Sequence, residues 1–225
     1  MVVHATFPDS RVERETSALI DRGYEVDVIC LQRKGELVHE TVNGVNVYRM
    51  PVRRRKWRHV LAQLLEYLAF FMFSCFKLMA LHYQRHYHVI QVHNLPDWLV
   101  FVAIVPKLTG ARVILDLHDL MPEFYAARFN RSLDSWPVRL LLLQERISCR
   151  FADHVITVTE AWRETLIKRS VSPSKVSVVM NVADSRVFVR PEQKEQRTPR
   201  QGRLKLLYHG KLPIRYGIDL AFHAV

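Results

Sequence analysis

Four short stretches place ionisable and amide side chains directly after apolar runs. "QVHNLPDWL" carries His93, Asn94 and Asp97; "DLHDLMPE" carries His118, Asp119 and Glu123. "ITVTEAW" carries Thr159 and Glu160, and "VVMNVAD" carries Asn181 and Asp184. Each preceding run is rich in Val and Ile, as a strand buried on both faces of a parallel sheet requires. Ligands of such sheets gather beyond the carboxyl ends of the strands. Any one cluster could be turn chemistry, since Asp and Asn bend the chain well. Four in succession at one sheet edge point to a cleft.

The elements that would position these groups alternate along the chain. Val2–Ala5 reads as a strand and 10–22 as a helix, with Ser10 and Glu13 at the spacing of a capping box. Gly23 closes that helix and 24–30 alternates into a strand. Asn43-Gly44 between two alternating runs signals a hairpin within 38–50. Strands follow at 88–92, 111–117, 154–158 and 175–180, with helices at 97–108, 137–150 and 160–169. This order predicts βαβ units and a mostly parallel α/β sheet.

Residues 190–203, "RPEQKEQRTPRQGR", are polar and proline-containing and read as a linker. The expected organisation is a domain over 1–189, the linker, and an incomplete second domain over 204–225.

The chain has 225 residues and a net charge of +11, which favours anionic partners: nucleic acid, acidic lipid or phosphorylated small molecules. Its three cysteines lie far apart, as in a reducing compartment, and the first ten residues lack the pattern of a signal peptide. The seven glycines form no GxGxxG and no phosphate-binding GxxxxGK[ST], and there is no GxSxG elbow. His82 and His86 stand four apart on a helix, but without HExxH they read as a solvated face rather than a metal site.

The stretch 53–86 begins with Arg53, Arg54, Arg55, Lys56, Trp57 and Arg58 and continues as a long helix. Gln63, Glu66, Ser74, Lys77 and Gln84 fall near one stripe, leaving a wide apolar face. The uncharged run between Glu66 and Lys77 is shorter than the ~20 residues of a spanning helix. A cationic flank with a Trp beside a broad apolar face suits a helix lying on an anionic membrane surface. The competing reading is a core helix behind a solvated basic loop. No nucleic-acid-binding module accompanies the basic run.

These stretches also carry a resemblance. "PDSRVERETSALIDRGYEVDVIC", the block "VHNLPDWLVFVAIVPKLTGARVILDLHDLMPE", "DHVITVTEAW", "SVVMNVAD" and "LLYHGKLPIRYGIDLA" resemble, in order, family-four glycosyltransferases of the GT-B fold. The resemblance implies a Rossmann-like, doubly wound acceptor domain with a small hairpin and a membrane-facing helix. It implies transfer of a sugar from a nucleotide-sugar donor to a lipid-linked or cell-envelope glycan, with retention, no metal and no cofactor beyond the co-substrate. It places His118, with Asp119, near the transferred sugar, and His93, Asn94, Asp97 and Glu123 on the acceptor side. Thr159, Glu160 and Asn181 would line the cleft, and Lys211 and Arg215 would contact the donor diphosphate. Tyr216 stands where the family has a second basic residue.

The family's donor-binding Glu-x₇-Glu element is not among these residues, so the resemblance implies an acceptor half plus the start of a donor half, inactive alone. The remaining donor domain would lie on the same or a separate polypeptide. The expected location is the cytoplasmic face of a membrane. The alternative is a non-catalytic membrane-peripheral binding module of the same fold.

Overall fold

A computed structural model describes residues 1–52, 60–169, 171–182, 207–208, 210 and 217–224. Two compact units divide the chain, Met1–Val182 and Ala183–Val225. Arg53–Arg58, the 190–203 linker, Lys211 and Arg215 lie outside the described residues. In the second unit, helix α7 (Ile218–His223) starts after Gly217, whose φ of 67° only glycine adopts without strain.

The first unit is built on one eight-stranded sheet. In chain order its strands are β1 (Val2–Thr6), β2 (Asp27–Leu31), β3 (His39–Val42), β4 (Val45–Met50), β5 (Val89–His93), β6 (Arg112–Leu117), β7 (His154–Thr157) and β8 (Val176–Val178). In space the order is β3-β4-β2-β1-β5-β6-β7-β8, parallel throughout except for the β3-β4 edge hairpin. Asn43 and Gly44 both take positive φ at the hairpin turn, as their sequence predicts. The chain winds leftward from β1 to the hairpin and then returns to β5, so β1 and β5 flank the point where strand order reverses.

Side-chain alternation divides the core. Val28 and Cys30 of β2 pack on one face with Val12 of helix α1 (Ser10–Ile20). Ile29 and Leu31 pack on the other, with Phe70 and Leu78 of α2 (Val60–Arg85), Cys149 of α5 (Trp136–Phe151) and Leu166 of α6 (Glu160–Arg169). The sheet is therefore covered on both sides, the doubly wound α/β arrangement.

Several local expectations are corrected. Asp9, not Ser10, caps α1: its carboxylate accepts from the backbone N–H of Arg11 at 3.2 Å and Val12 at 3.5 Å. Residues 97–108 wind as a 3-10 helix (Asp97–Ala103) followed by the short α3 (Ile104–Leu108). A further helix, α4 (Met121–Phe129), follows the 118–119 turn. Pro122 sits in its first turn, where a missing N–H is tolerated, and Asn130 at φ 48° ends it. His82 is buried rather than solvated; Nε2 lies 2.7 Å from Thr109 Oγ1 and Nδ1 accepts from Tyr87 N–H at 3.1 Å.

Helix α2 turns its polar stripe towards the domain and its apolar face outward. Of its polar stripe, Glu66 and Ser74 turn inward, Glu66 towards His4, while Lys77 lies 4.4 Å over the Tyr48 ring. Leu61, Leu64, Leu65, Leu68, Met72, Phe73 and Phe76 are exposed instead. By length and composition alone, 61–85 could cross a membrane, beyond what the Glu66–Lys77 run suggested. Phe70, Leu78 and Leu81 nevertheless belong to the domain core.

Candidate active site

The site grows from the carboxyl ends of β5 and β6. Strand β6 buries Val113, Leu115 and Leu117, which fixes the opposite alternation for Asp116. Its carboxylate has no exposed surface and faces the start of α1. There the Arg11 guanidinium donates from Nε to Oδ2 at 2.9 Å and from Nη2 to Oδ1 at 2.8 Å. This parallel fork is the geometry in which Arg and carboxylate bind best. Arg11 also pairs with Glu15 one turn on, at 3.2 Å, and Gln91 donates to Glu15 at 2.7 Å.

His93 closes β5 and is fully buried in the same cluster. Its Nδ1 lies 3.0 Å from Asp116 Oδ2, out of the line a hydrogen bond wants, and its Nε2 3.7 Å from Glu15. Burial alone would raise the Asp116 carboxyl, but His93 and then Arg11 outweigh it and hold it below the ordinary range.

His93, Asp116 and His118 bring three potential metal-ligand atoms within 4.8 Å of one another. Both Asp116 oxygens already accept from Arg11, so this carboxylate is engaged in charge pairing with the guanidinium.

His118 lies two residues past Asp116, half-buried, its ring centroid 6.4 Å from that of His93. Burial lowers its pKa to about 4 against the pull of Asp116, with His93 and Arg11 adding to the lowering. The imidazole is thus neutral at pH 7, able to donate from one nitrogen and accept at the other. Its Nδ1 is buried without a hydrogen-bond partner among the described residues.

Asn94 fixes the turn that carries His118. Its Oδ1 accepts from His118 N–H at 3.1 Å, while Nδ2 donates to the Asp119 carbonyl at 2.6 Å and to Asp97 Oδ1 at 3.0 Å. The peptide bonds on either side of Leu95 are cis. Asp97 is wholly buried; burial raises its carboxyl to about 6, opposed by the amides of Asn94 and Gln144.

Glu123, in the first turn of α4, is gripped by Arg169 of α6, which also donates to both oxygens of Glu145 at 3.0 and 3.1 Å. Glu145 is raised to about 8 by burial and then by Asp97. One guanidinium therefore holds α4, α5 and α6 together beneath the His118 turn.

The remaining sequence candidates serve more local roles. Thr159 Oγ1 accepts from Trp162 N–H at 3.2 Å at the start of α6, and Glu160 pairs with Arg163 at 3.6 Å. Asn181 accepts from Arg14 of α1, which also donates to the Val182 carbonyl at 2.5 Å. The structure thus brings His93, Asn94, Asp97, His118, Asp119 and Glu123 to one sheet edge. Sequence reading missed Arg11, Glu15, Glu145 and Arg169. The i,i+4 spacing of Arg11 and Glu15 and the lone acid inside the β6 run were the available signals.

Residues 8–181 match the family described as Glycosyl transferase 4-like domain. The chain belongs to this family.

The glycosyl transferase 4-like chain also resembles solved structures. Sucrose-phosphate synthase from Thermosynechococcus elongatus superposes with a TM-score of 0.60 at 16% identity, over 83% of this chain and 49% of that one. A second structure of that synthase gives 0.55 at 14% identity, over 81% and 88%. At such identities the likeness speaks for the fold. The glycosyl transferase 4-like chain spans about half the length of the first synthase chain.

Proposed function

We propose that this chain supplies the acceptor-binding half of a retaining glycosyltransferase. It passes a sugar from a nucleotide-sugar donor to a lipid-linked or cell-envelope glycan. His118 carries the reading: a neutral imidazole with a nitrogen that has no partner among the described residues, set beyond the end of a central strand by Asn94. A neutral imidazole can hydrogen-bond a sugar hydroxyl without bringing charge, and so hold the reacting carbon in place. Asp119 completes the turn and Asn94 acts behind it by orienting the backbone.

The donor and its diphosphate would be met by a second domain, on the same or a separate polypeptide, with Lys211 and Arg215 as the cations this chain contributes. Cations there stabilise the leaving group's charge, with no metal ion or other cofactor called for. Work takes place at the cytoplasmic face of an anionic membrane. The +11 charge, the basic run 53–58 and the exposed leucines of α2 support that location.

The test is His118→Ala, assayed as the chain assembled with its donor domain against lipid-linked acceptors. Turnover should fall by at least a hundredfold while the melting temperature stays within a few degrees, since a half-buried imidazole adds little to folding. Unchanged turnover, or loss of folding instead of turnover, would remove His118 from the chemistry.

A further inference from the structure

Helix α5 presents a second face that folding does not use. Trp136, Leu140, Leu143 and Ile147 recur at three- and four-residue spacing, which is one helix stripe. They are 75%, 57%, 50% and 47% exposed. Beside them Arg139, Arg146 and Arg150 form a parallel exposed stripe, and none has a carboxylate partner among the described residues. The helix contains one acid, Glu145, and it points into the core. The outward surface is therefore apolar and cationic only.

The neighbourhood adds a second observation. Helices α2 and α5 both pack on the 3-10 segment 97–103: Phe71 of α2 lies 5.2 Å from Trp98, and Phe151 of α5 lies 5.0 Å from Phe101. They share the same face of the sheet, so the exposed leucines of α2 and those of α5 flank one segment.

We infer that α5 is a second membrane-contacting helix, its Trp136-Leu140-Leu143-Ile147 stripe entering an anionic bilayer beside α2 while Arg139, Arg146 and Arg150 meet acidic head groups. The inference rests on the membrane location proposed above. Trp beside Leu, flanked by Arg, is the composition of an interfacial helix: the indole sits at head-group level and the cations follow the surface potential. A second copy of this chain fits less well, because two such faces would oppose their arginines without carboxylates to answer them. Two contacting helices, unlike one, fix the tilt of the sheet and hold the strand ends at a set height above the lipid.

The full chain is mixed with phosphatidylcholine vesicles, with or without about one-third phosphatidylglycerol. Emission of the wild type is compared with Trp136→Phe, which isolates this one of four tryptophans. A blue shift present only with phosphatidylglycerol and clearly smaller in Trp136→Phe is expected, the remainder coming from Trp57 in the basic flank of α2. Replacing the three arginines by serine should weaken binding on the order of a hundredfold. All these side chains are exposed, and circular dichroism confirms that each variant folds.

Vesicle binding that leaves Trp136 unshifted, is untouched by the arginine variant and is abolished by Leu64→Gln with Leu68→Gln overturns the role of α5 and leaves the membrane location standing. No binding by the wild type overturns both. Burial of Trp136 in a lipid-free dimer, seen by sedimentation, overturns the α5 inference in favour of self-association.

Discussion

Arg11 lays its guanidinium across both oxygens of Asp116, joining the first turn of α1 to the end of β6 across 105 positions of chain. The pair sits where strand order reverses, so it ties the two halves of the sheet at the rim of the site. Removing one member of a buried pair strands the other charge in a low-dielectric setting. Arg11→Met should therefore lower unfolding free energy by about 3–5 kcal/mol in urea titration. The double variant with Asp116→Leu should recover much of that loss. Equal losses for the single and double variants would mean the pair carries no coupling.

Stability should fall as pH rises across neutrality. The folded-state pKa of Glu145 is about 8, above the ordinary glutamate value of 4.5. Between those values the folded chain keeps a proton that the unfolded chain has released, so stability declines with rising pH and the decline ends past the folded pKa. Asp97, raised to about 6, adds to the same trend below pH 6. Glu145 is faced by Asp97 from the 3-10 helix, Arg169 from α6, Glu123 from α4 and Cys149 from its own helix. The slope is bounded at about 1.4 kcal/mol per pH unit for one proton. Glu145→Gln should flatten the urea midpoint between pH 6 and 8; a parallel decline in both proteins would assign it elsewhere.

His118 should stay neutral down to mildly acidic pH. Its lowered pKa, about 4, gives stability that is present above the unfolded value near 6.5 and lost as pH falls towards 4. In proton–carbon NMR its ring signals should not titrate between pH 5.5 and 8. A midpoint near 6.5 would mean the imidazole is solvated.

Asn94→Ala should loosen the His118 turn more than it unfolds the domain. Three protein groups lose their partner, at about 1–3 kcal/mol per buried group left unsatisfied. Hydrogen exchange at the His118 amide should accelerate at least tenfold while amides in β6 keep most of their protection. Uniform acceleration would make Asn94 a global stability residue instead.

The layered sheet was legible because parallel strands buried on both faces leave continuous apolar runs, as in "RVILDL", and turns leave Gly and Asn. The helix α4 was not expected from the sequence; Pro122 stands in its first turn, the one turn that accepts it. Residues at strand ends were visible, but what each touches was not. Asn94 and Thr159 look alike on paper, yet one clamps a neighbouring loop and the other caps its own helix. The pairing of Arg11 with Asp116 escaped for a different reason: it depends on strand order, which no local spacing encodes.

The inward turn of Glu66 and Ser74 on α2 has a practical consequence. Folding draws on that helix through Phe70, Leu78, Leu81 and its polar stripe, and leaves Leu61, Leu64, Leu65, Leu68 and Phe76 without structural employment. Those five positions can be rewritten in Gln and Lys without touching the core. Such a surface-recoded chain would stay dispersed at the millimolar concentrations that spectroscopy needs, with the rim around His118 unaltered. In the native chain the same side chains form an exposed apolar patch, the kind of surface that marks an interaction site.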